Sequence, residues 1–125
     1  MFREWNLLVI EDEPDSAEVM ARILKFNMIK FSLAGTAEEA LAKLEVESPT
    51  ALIVDLALPG MNGWDLLDAV RRRTEWAAIP AIAVTAYYSN TLALEVRQAG
   101  FDACFSKPVD APSFMKELAR LLNHN

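Results

Sequence analysis

Short apolar runs alternate with longer stretches whose apolar residues recur at helical spacing, and the alternation continues along the whole chain. Trp5 to Ile10 is almost continuously apolar, the pattern of a strand buried on both faces. Pro14 suits a first helical turn, where its missing N–H costs nothing. The helix it opens is expected to run to about Asn27, with Ala17, Met20, Ala21 and Leu24 on one face. Ile29 to Ala34 predicts a second strand, ended by Gly35. Thr36 and Glu39 have the spacing of a capping box for a helix carrying Ala40, Leu41 and Leu44. Pro49 closes that region, and Ala51 to Val54 predicts a third buried strand. Pro59-Gly60 and Asn62-Gly63 punctuate a loop before a helix lined by Trp64, Leu67 and Val70. Ala81 to Val84 reads as a fourth strand, entered through Pro80. Ser89 or Asn90 then caps a helix that stops at Gly100. Ala103 to Ser106 is the fifth strand, and Asp110 caps a last helix through about Leu122.

Five strand–helix units predict an α/β fold, a parallel sheet covered by helices on both faces and joined by right-handed crossovers. A length of 125 residues leaves room for one domain, residues 1–125, and no second. The single cysteine, Cys104, excludes an internal disulfide framework, and no Cys/His spacing suits zinc. Apolar runs fall far short of the ~20 residues a membrane helix needs. Glu11 and Asp12 interrupt the place where the apolar part of a secretory signal would lie. The expectation is therefore a cytoplasmic protein with no membrane association. A net charge of -6 opposes nonspecific attraction to nucleic acid. The basic run Arg71-Arg72-Arg73 falls late in a predicted helix, where it complements the negative end of the helix dipole. His124 is read as a solvated terminal residue.

Open parallel sheets form their sites beyond the carboxyl ends of the strands, near the point where strand order reverses. The residues at those ends are Glu11 and Asp12, Asp55, Thr85 and Lys107. Three carboxylates would thus converge at one edge. Two such charges about 5 Å apart repel by roughly 3 kcal/mol at an effective dielectric near 20. The arrangement calls for a bound cation, a retained proton, or a function that needs the strain. Lys107 offsets one charge, and a small hard divalent ion, magnesium, suits the remainder. Plainer uses exist for each residue: Asp12 or Glu13 can cap the Pro14 helix, Thr85 can serve a turn, and Lys107 can be a surface charge. Asp55 resists such a reading, because Ala51-Leu52-Ile53-Val54 delivers it from the sheet interior.

At this point the chain resembles, essentially from end to end, the receiver domain of two-component response regulators. The motifs that carry the resemblance are Leu8-Val9-Ile10-Glu11-Asp12-Glu13-Pro14, Asp55 through Gly63, Val84-Thr85-Ala86 and Ser106-Lys107-Pro108. The resemblance implies a flavodoxin-like, doubly wound sheet in the order 2-1-3-4-5. It implies that Asp55 is the phosphoacceptor, taking a phosphoryl group from a histidine of a kinase or phosphotransfer protein. Asp12 and Asp55 would ligate Mg2+ directly, the Ala57 carbonyl would be the third protein ligand, and Glu11 would act through a metal-bound water. Lys107 and the metal would neutralise the equatorial oxygens. Thr85 would donate its hydroxyl to the new phosphoryl group and draw its loop inward. The Lys107–Pro108 peptide is expected to be cis. Ala57 and Tyr87 would flank the path of hydrolytic water, with Tyr87 shielding the phosphoryl group. Such a domain catalyses its own phosphorylation and dephosphorylation without being a turnover enzyme. With no output module expected in a chain of this length, its effector would be a downstream protein.

Two departures stand out. Cys104 lies three residues before Lys107, where an aromatic residue is common in the family, and is too small for the same rotamer change; its plain reading is a small buried residue on an interior strand. Glu11 is one methylene longer than the usual aspartate. Leu92 and Val96 are expected in the core rather than at an interface. Among other functions, a phosphorylation-independent interaction module would usually have lost the acceptor, the acidic pair or the lysine. An aspartate-based phosphatase would show DxDxT, whereas Asp55 is followed by Leu56-Ala57. A flavin carrier would want a phosphate cradle where this chain is acidic.

Overall fold

Strands β1 (Asn6–Ile10), β2 (Lys30–Ala34), β3 (Ala51–Asp55), β4 (Ala81–Thr85) and β5 (Ala103–Ser106) pair in parallel in the order β2-β1-β3-β4-β5. They belong to a computed structural model that describes residues 4–123, so His124 lies outside the described residues. The connecting helices are α1 (Pro14–Phe26), α2 (Ala37–Leu44), α3 (Gly63–Arg72), α4 (Asn90–Ala99) and α5 (Ala111–Leu122). Every residue of β3 and β4 is buried, as continuous apolar runs require when helices cover both faces of a sheet. Edge strand β2 instead exposes Lys30 and Leu33.

Alternate strand residues point to opposite faces and so build two cores. Leu8, Ile10, Leu52, Val54 and Ala83 pack with Leu44 of α2, Leu67 and Val70 of α3, and Val96 of α4. Leu7, Val9, Ile53, Ile82 and Val84 pack with Met20 and Leu24 of α1 and with Phe114 and Leu118 of α5. Val96 is thus a core residue, and Leu92 packs partly buried against the same cluster. Within the sheet the chain runs from β1 outward to β2 and then returns past β1 to β3. The reversal lies between β1 and β3, whose carboxyl ends are in step, with Ile10 opposite Val54. Residues that follow those two strands therefore meet.

Helix starts obey local chemistry. Glu13, rather than Asp12, caps α1 by accepting from the Ser16 N–H at 3.1 Å. Thr36 accepts from the Glu39 N–H at 3.0 Å, but the returning arm of the expected box goes to the N–H of Gly35, not of Thr36. Ser89 and Asp110 cap α4 and α5, and Asn62, expected only as a turn residue, caps α3. Gly100 closes α4 with φ 114°, a conformation that an L side chain rarely adopts.

Three expectations are corrected. β4 extends one residue past its apolar run, so Thr85, expected just after the strand, is a buried strand residue, whereas Asp55 ends β3 as expected. Cys104 is only half-buried and sits on an edge strand, because the 2-1-3-4-5 order leaves β5 without an outer neighbour. Arg71 does more than complement the α3 dipole: its guanidinium donates to carbonyls of the following loop and of Gly100.

Candidate functional site

Asp55 closes β3 with only 5% of its surface exposed. Its Oδ1 accepts from the Ala57 N–H at 3.0 Å, which fixes the carboxylate plane, and Oδ2 lies 3.3 Å from Lys107 Nζ. Glu11, just past β1, places Oε1 2.8 Å from the same ammonium, and its Oε2 accepts from the Glu13 N–H at 3.1 Å. Lys107 is itself held by its N–H, which donates to the Thr85 carbonyl at 2.9 Å, and it precedes a cis peptide to Pro108 as expected. Asp12 is exposed, yet carboxylate oxygens of Glu11, Asp12 and Asp55 all lie within 4.8 Å of one another. Four of the expected residues thus converge on one pocket.

The charges do not balance. One ammonium serves two carboxylates, and a third stands beside them. Burial pushes the Glu11 carboxyl up to about 7; its Lys107 bond works against this, and the adjacent Asp55 adds to it. Burial acts to lower the Lys107 ammonium, but the Glu11 bond and the Asp55 and Glu11 charges prevail and hold it above its usual range. An all-oxygen set of three carboxylates with surplus negative charge fits a hard divalent ion such as magnesium.

Thr85 ends β4 at 3% exposure and pairs across the sheet with Ser106, which precedes Lys107. Its Oγ1 accepts from the Tyr87 N–H at 3.0 Å, so the hydroxyl proton stays available to another acceptor. Tyr87 itself is 79% exposed. Ala57 is exposed as well, with its N–H committed to Asp55.

Sequence reasoning missed two features. In the sequence Gly63 stands as loop punctuation, but a Cβ there would lie 2.6 Å from the Asp55 carbonyl oxygen and 2.9 Å from Leu56 Cα. Only a glycine lets α3 start this close to the acceptor strand. The Asn-Gly pair was the available signal. The second feature is a cleft of about 260 Å³ running from Glu11, Asp55 and Lys107 between α1 and Val109, for which the one-dimensional pattern holds no signal. Cys104 packs against the α3/α4 side of the core, and burial pushes its thiol up, away from the reactive thiolate.

Residues 7–119 match a family described as the response regulator receiver domain. A protein of Leptolyngbya boryana, "Uncharacterized 14.6 kDa protein in sodA1 3'region", is 35% identical over 107 residues, which are 86% of this chain and 82% of that one. Response regulator Rre1 of Synechocystis is 30% identical over 118 residues, 94% of this chain but 51% of that protein. Sensory/regulatory protein RpfC of Xanthomonas campestris is 31% identical over 121 residues, 95% of this chain but only 17% of that protein, so the chain spans about half of Rre1 and a small part of RpfC. Among solved structures, a CheY-like receiver domain protein of Methanospirillum hungatei superposes with a TM-score of 0.84 at 28% identity, covering 95% of this chain and 94% of that one. A chain from Chloroflexus aurantiacus superposes with a TM-score of 0.91 at 26% identity, covering 96% and 98%.

Proposed function

Because the chain belongs to the response regulator receiver domain family of two-component signalling, we propose that Asp55 is its phosphoacceptor. The observation that carries this reading is the buried Asp55 carboxylate at the strand reversal, sharing one lysine with Glu11 and grouped with Asp12. In the proposed reaction an Asp55 carboxylate oxygen forms a bond to phosphorus while the phosphorus–nitrogen bond to a donor histidine breaks. The donor is a histidine kinase or a phosphotransfer protein. The Ala57 N–H on Oδ1 and the Lys107 ammonium near Oδ2 hold the carboxylate in one orientation before the donor arrives, which lowers the entropic part of the barrier.

Asp12 and Asp55 are the proposed direct magnesium ligands, with the Ala57 carbonyl as third ligand and Glu11 acting through a water. Bound there, Mg2+ neutralises charge on the transferring phosphoryl oxygens. Lys107 takes part in the same neutralisation, and its bond to Glu11 yields as the phosphoryl group competes for it. Thr85 donates the hydroxyl proton that its bond to the Tyr87 N–H leaves uncommitted. The loop from Ala86 to Ser89 follows, because that same bond ties it to Thr85.

Residues 1–125 are read as one receiver unit that passes its state to a downstream protein rather than turning over a substrate. Its surplus of acid argues against direct nucleic-acid binding. Among the described residues no helix is long and apolar enough to cross a membrane; a cytoplasmic location is part of the proposal. The test is incubation with acetyl phosphate and Mg2+ followed by mass spectrometry. One phosphoryl group on the native chain and none on Asp55→Asn is the expected result. Multiple turnover of phosphate esters, or no adduct on the native chain, overturns it.

A further inference from the structure

The cleft beside the acceptor has a chemistry that phosphoryl transfer does not use. Val9, Ile53 and Val84 of the sheet form its floor, and Val19, Met20 and Val109 line it from either side. Its charged lining groups are three carboxylates, Glu11, Asp15 and Asp55, against the one ammonium of Lys107. That ammonium already pairs with Glu11 at 2.8 Å and Asp55 at 3.3 Å, so an anion entering the cleft would meet surplus acid. A cation with an apolar tail meets complementary surroundings at both ends.

We propose that this cleft is a ligand site for a short apolar primary amine, its chain along Val9, Ile53 and Val84 and its ammonium among Glu11, Asp15 and Asp55. A volume of about 260 Å³ corresponds to roughly nine water-sized atoms, enough for an amine of about seven carbons. The ammonium then takes the charge-neutralising place of the divalent ion. Amine and metal are mutually exclusive, and the amine-bound form is not phosphorylated; this regulatory part rests on the function proposed above.

The test is a methyl-resolved NMR titration of the full chain, with and without Mg2+, using n-pentylamine to n-heptylamine, 1-heptanol and heptanoate. Heptylamine should shift the methyl signals of Val19, Met20 and Val109. Affinity should rise about fourfold per added methylene, the increment for burying one CH₂. Heptanol should bind more weakly than heptylamine, and heptanoate more weakly still. Mg2+ should raise the apparent Kd of the amine. Val19 is 42% exposed on α1, so Val19→Trp can narrow the cleft without disturbing the core; it should lose the amine and keep the magnesium response. Affinity that ignores chain length, heptanoate binding as well as heptylamine, or an unchanged amine Kd in Val19→Trp overturns the site. Amine binding without magnesium binding supports the cleft and overturns the metal reading. Magnesium binding without amine binding does the reverse.

Discussion

At the amino-terminal end of the sheet, Arg71 donates to the carbonyls of Ala77, Ile79 and Gly100 at 3.2, 2.7 and 3.1 Å and faces Asp102 at 3.7 Å. Arg73 reaches both Glu45 and Glu75 and lies 3.9 Å over the Trp76 ring. Burial lowers the Arg71 guanidinium, with Asp102 acting against it, while its carbonyl partners satisfy its donors. The Glu45 bond, then Glu75, hold Arg73 above its ordinary range. At the carboxyl-terminal end, Lys107 must divide itself between Glu11 and Asp55, with Asp12 close by. Both ends use acid–base pairs, but only one satisfies them. The satisfied end ties α3 to the loop before β4 and to the end of α4. The under-compensated end carries surplus negative charge, so a bound cation would be attracted there.

The sharpest way to break this comparison is to remove the most engaged cation. Arg71→Met should cost about 2 kcal/mol in urea unfolding, since three carbonyls and Asp102 lose a charged donor at a half-buried place. Arg73→Met should cost much less, because its ion pairs face solvent. Equal losses would show that the amino-terminal network is not organised around Arg71.

Next in size is the metal effect at the other end. Mg2+ at ten times its dissociation constant should stabilise the native chain by about 1.4 kcal/mol. Asp12→Ala should abolish most of that gain in thermal melts while raising metal-free stability by less than about 1 kcal/mol through lost repulsion. Identical melting curves with and without millimolar Mg2+ would remove the case for an under-compensated site.

The acidity of Glu11 sharpens the same contrast. Its folded pKa of about 7 stands above the unfolded value of 4.5, so between these values the native state keeps a proton that the unfolded chain has released. The contribution of Glu11 to metal-free stability should therefore be fully present below pH 4.5 and be lost as pH rises toward 7, by about 1 kcal/mol. Glu11→Gln should flatten the profile. A native profile already flat across that window would contradict the burial of an under-compensated carboxyl.

The smallest effect concerns persistence of the phosphorylated state. Ala57 carries no polar side chain to orient water, and Tyr87, exposed in this structure, would have to fold over the site to cover it. Ala57→Asn with Tyr87→Glu should speed loss of the phosphoryl group a few-fold after donor removal with Mg2+ present. Unchanged or slower decay would reject shielding by Tyr87 and leave Asp55 untouched.

What could be read from the chain alone was what acts over a few residues. Caps at Thr36, Ser89 and Asp110, the stop at Gly100 and the five apolar runs all follow from hydrogen bonds and periodicities spanning four residues or fewer. The acidic pair after the first strand, Asp55, Thr85 and Lys107 were legible as strand-end residues for the same reason. Their roles, and the order 2-1-3-4-5, came from resemblance to a family, because periodicity does not choose a strand's neighbours. Tertiary structure alone decided that Ile10 pairs beside Val54, and so that Glu11 and Asp12 meet Asp55. It also divided Lys107 between two acids, left Cys104 at an edge, gave Arg71 carbonyl partners as far away as Gly100, and opened the cleft beside α1. Those outcomes depend on how five amphipathic units bury their faces together. Burial is a property of the assembled layers, and residues more than fifty apart in the chain come within hydrogen-bond reach only once those layers have closed.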